Sequence, residues 1–142
     1  MKDSNWDLDF RAGLAGESKV ADLLSLDTLE VKTDRRWHQT GNIYIETECW
    51  IQSTQSWEPS GLRSTKATHW AYVLEVTVII VPTYRLKEIV WEHAKPITCD
   101  IPPNPSRGYL ITPGGLLEYI RKAHNMEAQE QHANFLRETY GG

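Results

Sequence analysis

Three carboxylates are spaced so that a suitable packing of their elements would bring them within reach of one divalent cation. Glu17 precedes Val20 by three residues and Leu24 by seven, which puts it on the apolar face of an amphipathic first helix. Asp34 ends the alternating run Leu29-Glu30-Val31-Lys32-Thr33-Asp34, on the polar side with Glu30 and Lys32. Glu46 lies inside a second alternating run, Ile43 to Trp50, in which Ile43, Ile45 and Thr47 share one face and Tyr44, Glu46 and Glu48 share the other. If the helix packs across the end of both strands, all three acids point at one place. Clustered buried carboxylates repel one another at neutral pH unless a cation neutralises them. Their hard oxygen ligands suit Mg²⁺ or Mn²⁺, which keep several waters and take one or two protein carboxylates plus substrate phosphate. The plainer alternative is a solvated strand face, with Glu17 paired to Lys32.

The elements that would position these acids read in the order helix, strand, strand, short helix, strand, helix, strand, helix. That order implies an α/β or α+β architecture, a small mixed sheet flanked by helices. The first helix spans Asp9 to Leu26, with Leu14, Val20, Leu23 and Leu24 as its stripe. The strands Thr28–Asp34 and Ile43–Trp50 are joined by the polar segment Arg35 to Gln39 and the turn Thr40-Gly41-Asn42, and their closeness predicts antiparallel neighbours. Ser53 to Gly61 reads as a loop, and Ser64 or Thr65 as the cap of a short helix through Trp70. Trp70 to Val81 reads as one apolar stretch that is a buried strand from Tyr72 onward. Thr83 is expected to cap a helix from Tyr84 to His93. Pro96 to Gly108 reads as an irregular loop with at most a short edge strand, and Tyr109 to Thr112 as a brief strand. Thr112-Pro113 opens a helix over Leu116 to Ala123. The helix-prone tail, residues 126–142, has three fates open to it: docking, reaching a neighbouring subunit, or fraying. No repeat or linker divides residues 1–142, so a single domain is expected.

Composition narrows the function classes. Hydrophobic residues at 40% and charged residues at 24% are ordinary for a globular chain and exclude disorder for most of it. The longest apolar run, Val76 to Pro82, is too short for a bilayer, and Met1-Lys2-Asp3-Ser4-Asn5 does not open a signal peptide. The net charge of -4 excludes a basic coat, so contact with DNA requires a local patch. Arg35, Arg36, Arg63 and Lys66 surround the two loops nearest the acids; they are either that patch or scattered solubilising charge. Trp37 and His38, between the two key strands, are placed to touch a base, although packing is the commoner fate of such a tryptophan. Cys49 and Cys99 form no CxxC pair, which disfavours structural zinc and implies reduced thiols in a cytosolic protein. The sequence has no Gly-x-Gly-x-x-Gly, no Walker loop and no Gly-x-Ser-x-Gly elbow, which disfavours nucleotide-driven and serine-hydrolase functions.

Asp34, an interval of eleven residues, then Glu46-Thr47-Glu48 resembles the Asp…(Glu/Asp)-x-Lys signature of the PD-(D/E)XK nuclease superfamily. Gly16-Glu17, Glu30 to Asp34, Thr40 to Glu46, Pro59-Ser60-Gly61-Leu62, Ser64-Thr65-Lys66-Ala67 and Trp70 together resemble a narrower group of small phage-type nucleases. The resemblance spans about residues 8 to 82 and is loose beyond. It implies a restriction-endonuclease-like core and Mg²⁺- or Mn²⁺-dependent hydrolysis of DNA phosphodiester bonds. Asp34 and Glu46 would ligate the metal, the Thr47 carbonyl would complete the shell, and Glu17 would match the helix carboxylate of resolvase-like branches. Glu48 departs from the usual lysine. Either it acts as a base or binds a second metal, or Lys32 or Lys66 replaces the lysine. The resemblance further implies a nuclease working in the host cell's cytoplasm, no membrane, and a homodimer with the C-terminal helix as candidate interface. The rival readings are a catalytically inactive nuclease-like fold that binds nucleic acid or protein, and a structural phage protein whose acids pair with Lys32 and the arginines.

Overall fold

The structure, a computed structural model, describes residues 5–24 and 28–141. Helix α1 (Asn5–Leu24) leads to β1 (Leu29–Thr33), the helical turn α2 (Trp37–Thr40), β2 (Ile43–Ile51) and β3 (Ser56–Pro59). After a 3-10 turn at Gly61–Arg63 come β4 (His69–Leu74), β5 (Thr77–Pro82), α3 (Thr83–His93), β6 (Lys95–Cys99), β7 (Ser106–Ile111) and α4 (Pro113–Tyr140). The expected mixture of strands and helices is present, one sheet being mixed and the other wholly antiparallel. Among the described residues no helix is long and apolar enough to cross a membrane.

The two strands that carry the acids are not neighbours. β1 pairs in parallel with β4, and β4 pairs antiparallel with β5, giving the order β1-β4-β5. β2 belongs to a second sheet, β3-β2-β7-β6. Proximity in sequence predicted an antiparallel β1–β2 pair. The turn α2 intervenes instead, stopped by Gly41 at φ 75, a left-handed position that glycine adopts without steric cost. β1 is secured to β4 at both ends, by Thr68 N–H to the Thr28 carbonyl (3.0 Å) and Asp34 N–H to the Val73 carbonyl (3.3 Å).

Other boundaries differ from expectation. The segment read as a loop before Gly61 contains β3, which forms a hairpin with β2, and the segment read as a short helix gives β4 after an extended stretch. The apolar stretch Trp70–Val81 is a hairpin, because Glu75 adopts φ 59 and reverses the chain, leaving Val76 99% exposed at the tip. Thr83 is the first residue of α3 rather than its cap, and its hydroxyl donates to the Ala67 carbonyl at 2.6 Å. Thr112 does cap α4, accepting from Gly115 N–H at 2.9 Å with Pro113 in the first turn.

One core joins both sheets to α3 and the start of α4. Ile43 and Ile45 of β2, Ile111 of β7, Trp70, Tyr72 and Leu74 of β4, Leu86, Ile89 and Val90 of α3 and Leu116 of α4 are its main members. Arg85 ties α3 to α4. It is nearly buried, and its guanidinium meets Glu88 at 2.8 Å and Glu127 at 2.5 Å. The Glu127 bond, foremost, raises the affinity of Arg85 for its proton. From residue 124 onward α4 is exposed along its length, so the tail is a continuation of the helix. Within residues 11–24 of α1, Leu14, Val20 and Leu24, the expected core stripe, face solvent, and Leu23 is half-buried. Residues 25 and 26 of the expected helix lie outside the described residues.

Candidate active site

A cleft of about 600 Å³ opens where the two sheets meet. β1 and the segment after it contribute Lys32, Asp34, Arg35 and Arg36, and β2 contributes Tyr44 and Glu46. Trp70 and Tyr72 of β4, both almost wholly buried, close one wall; Ile97, Thr98 and Cys99 of β6 with Ile101 and Leu110 close another. Two acids, three cations and an apolar wall therefore share one opening. Lys32 has its ammonium 2.9 Å from Glu30 and 5.5 Å from the centre of the Trp70 ring.

Asp34 and Glu46 enter the cleft under different constraints. Asp34 accepts the Arg36 N–H at 2.9 Å through Oδ1 and the Tyr44 N–H at 3.0 Å through Oδ2. The first bond shapes the turn into α2, and the second links the end of one sheet to the start of the other. A carboxylate has about four lone-pair sites, so both oxygens retain capacity to accept another ligand. Glu46 is half-buried and its carboxylate takes part in no hydrogen bond or ion pair with a described residue; its charge is felt by the Tyr44 phenol. Burial, foremost, pushes that phenol up, the bond to Ser106 opposes the shift, and the charges of Glu46 and Cys99 add to it.

Glu46 and Glu48 were expected on one face, and a β-bulge separates them. Glu46 opposes Gly108 of β7, Glu48 opposes Arg107, and the register shifts between the two glutamates. The extra residue interrupts the alternation of the strand. Glu48 meets Arg63 at 2.7 Å and Arg107 at 3.7 Å, and it does not line the cleft. Thr47, the residue at the bulge, is buried. Its hydroxyl donates to the Arg107 carbonyl at 3.3 Å and its own carbonyl accepts the Ser60 N–H at 2.9 Å. Gly61, at φ 50, lies so close to this strand that a Cβ would collide with the Glu46 carbonyl. The Pro59-Ser60-Gly61 segment thus supports the backbone of Glu46 directly.

The remaining expected residues fall elsewhere. Glu17 is exposed on α1, where an inward-facing position was expected, and it does not line the cleft. Lys66 is exposed and outside the cleft. Arg63 is held by Glu48, with its guanidinium 5.9 Å from the Trp91 ring. Trp37 is half-buried against the core, its indole N–H buried without a hydrogen-bond partner among the described residues. Sequence reading missed the wall made by Ile97, Cys99, Ile101 and Leu110. The only signal for it was the β-branched run Ile97-Thr98 in a proline-rich segment. Among the described residues no group of three or more His, Cys, Asp or Glu side chains gathers to hold a metal. The pair Asp34 and Glu46 nevertheless suits a hard cation, which needs only one or two protein carboxylates when waters and phosphate supply the rest. Comparison with protein-family models, curated proteins and solved structures finds no match to this chain.

Proposed function

We propose that the protein is a metal-dependent deoxyribonuclease that hydrolyses DNA phosphodiester bonds in the cleft between its two sheets. The observation that carries this reading is that Asp34, just after β1, and Glu46 of β2 line one cleft together with Lys32, Arg35 and Arg36. Acids alone would repel a phosphodiester, and cations alone would bind it without activating water. Asp34 and Glu46 would hold Mg²⁺ or Mn²⁺, which when bound lowers the pKa of a coordinated water and polarises the phosphoryl oxygen. Arg35 and Arg36 at the cleft's edge bind and orient the phosphate. Lys32 offsets charge on the phosphate, the part taken by the lysine for which Glu48 stands. Glu46, with no partner of its own, is available to a metal or to the attacking water's proton. A restriction-endonuclease-like relationship and action as a homodimer through α4 belong to the same reading.

Glu46→Gln is the discriminating variant, because the side chain makes no bond that folding would miss. Plasmid and branched DNA incubated with Mn²⁺ or Mg²⁺ should be cleaved by the wild type and spared in EDTA. Cleavage by Glu46→Gln should fall by about 10²-fold or more, with an unchanged circular dichroism spectrum. Asp34→Asn should also lose activity, with some loss of stability from its two backbone bonds. The second reading, a binding module without catalysis, draws on those same bonds, since they give Asp34 a structural role that needs no metal. Wild-type protein that binds DNA, cleaves none in Mn²⁺ and gives no heat on Mn²⁺ titration would establish that alternative.

A further inference from the structure

The cleft holds more apolar surface than a phosphate needs, and one aromatic ring in it is held through its hydroxyl and laid closely over a glycine. The Tyr44 hydroxyl is 2.7 Å from Ser106 Oγ. Its ring lies over Gly108, where a Cβ would come within 2.9 Å of Tyr44 Cε2, so the glycine is what lets the ring rest across β7. Tyr44 is half-buried and lines the cleft close to Glu46. Leu110 stands opposite it in register, and Ile97 and Ile101, 39% and 52% exposed, extend the same wall.

We propose, resting on the hydrolytic reading above, that the cleft takes DNA whose nucleotide at the reacting phosphate is unpaired, with its base seated on the Tyr44 ring against this wall. Duplex DNA presents phosphate and sugar at its surface and keeps its bases stacked inside, so an apolar wall beside the acids has nothing to meet. An unpaired base offers its π-face to any aromatic surface that can receive it. A cavity of about 600 Å³ is of the size that encloses a small ligand, and a single nucleotide is one. Charge agrees with this. Lys32, Arg35 and Arg36 serve a phosphate or two at the cleft, whereas the chain as a whole carries -4 and has no coat with which to track a long duplex.

The test is fluorescence anisotropy of the full chain in EDTA with three labelled oligonucleotides of equal length: a single strand, a duplex with a short unpaired gap, and an uninterrupted duplex. A parallel cleavage assay in Mn²⁺ uses the same probes. The wild type should bind the first two about tenfold more tightly than the duplex, within the range that stacking one base supplies. Tyr44→Phe should keep that preference, and Tyr44→Ala should lose it. Ile101→Ser, on an exposed loop, should weaken it and stands in if Tyr44→Ala does not fold. Equal binding of all three probes by the wild type overturns the inference, as does an undiminished preference in a folded Tyr44→Ala or, failing that, in Ile101→Ser. Cleavage of duplex with no binding preference would remove the base seat and keep the hydrolase. Selective binding with no cleavage would do the reverse.

Discussion

Tyr72 carries a buried hydroxyl without a hydrogen-bond partner among the described residues, near the charges of Asp34 and Glu30. An unsatisfied buried hydroxyl costs about 1–3 kcal/mol. Tyr72→Phe keeps the ring in the core and removes that cost, so the variant should be more stable by about 1 kcal/mol at pH 7. Burial, then Asp34 and Glu30, raise the phenol well above the ordinary tyrosine range. The folded protein therefore holds this proton where the unfolded chain releases it. The associated stability is complete below about pH 10 and is lost as the pH climbs beyond that value. Tyr72→Phe has no such proton, so its advantage over the wild type should widen above pH 10. Urea unfolding at pH 7 and pH 10.5 measures both effects; a variant less stable than the wild type at pH 7 would mean that the hydroxyl has a partner in solution.

At the scale of elements, much of the architecture is written in periodicity. Ile43, Ile45 and Thr47 alternate and are all buried, and the stripe Leu86, Ile89, Val90 is the buried face of α3. Periodicity does not specify which strand pairs with which, and proximity gave the wrong partner for β1. Nor does it reveal a bulge: Glu46 and Glu48 look equivalent in an alternating run until the register against β7 shifts between them. The turn at Glu75 was hidden for a related reason, since only Glu75 itself parts the apolar residues on either side and no glycine or proline marks the reversal. At the site, Asp34, Glu46, Lys32, Arg35 and Arg36 were legible by residue type and share the cleft. The apolar wall was not, because it is assembled by a β6–β7 pairing across the proline-rich loop. Arg85 is the clearest joint between elements. Arg85→Ala removes bonds to two half-exposed glutamates and the guanidinium's packing on Tyr84, and should cost about 1–3 kcal/mol. Thermal unfolding of Arg85→Ala beside Glu127→Gln, which spares the Glu88 bond and should cost less, checks this.

Over the whole molecule, the accessible surface is 10280 Å². A compact monomer of this mass exposes about 7500 Å². Exposed side chains contribute to the excess, among them Leu14, Val20 and Leu24 of α1 and Met126, Phe135, Leu136 and Tyr140 of the distal α4. The excess is larger than the roughly 1200–2000 Å² that a stable pair of chains buries. The full chain should therefore sediment as a dimer, and a chain ended after Ala128 as a folded monomer, since residues 129–140 make no buried contact within one copy. A monomeric full chain at micromolar concentration would leave α4 without that role. The bond from Asp34 to the Tyr44 amide has a consequence of its own. It ties the residue that follows β1 to the start of β2 at the very group a bound cation would claim, so a cation there would share its ligand with the link between the two sheets. A cation at that carboxylate would therefore sit on the same side chain that holds the Tyr44 amide, and its binding would be read in the exchange of that amide proton.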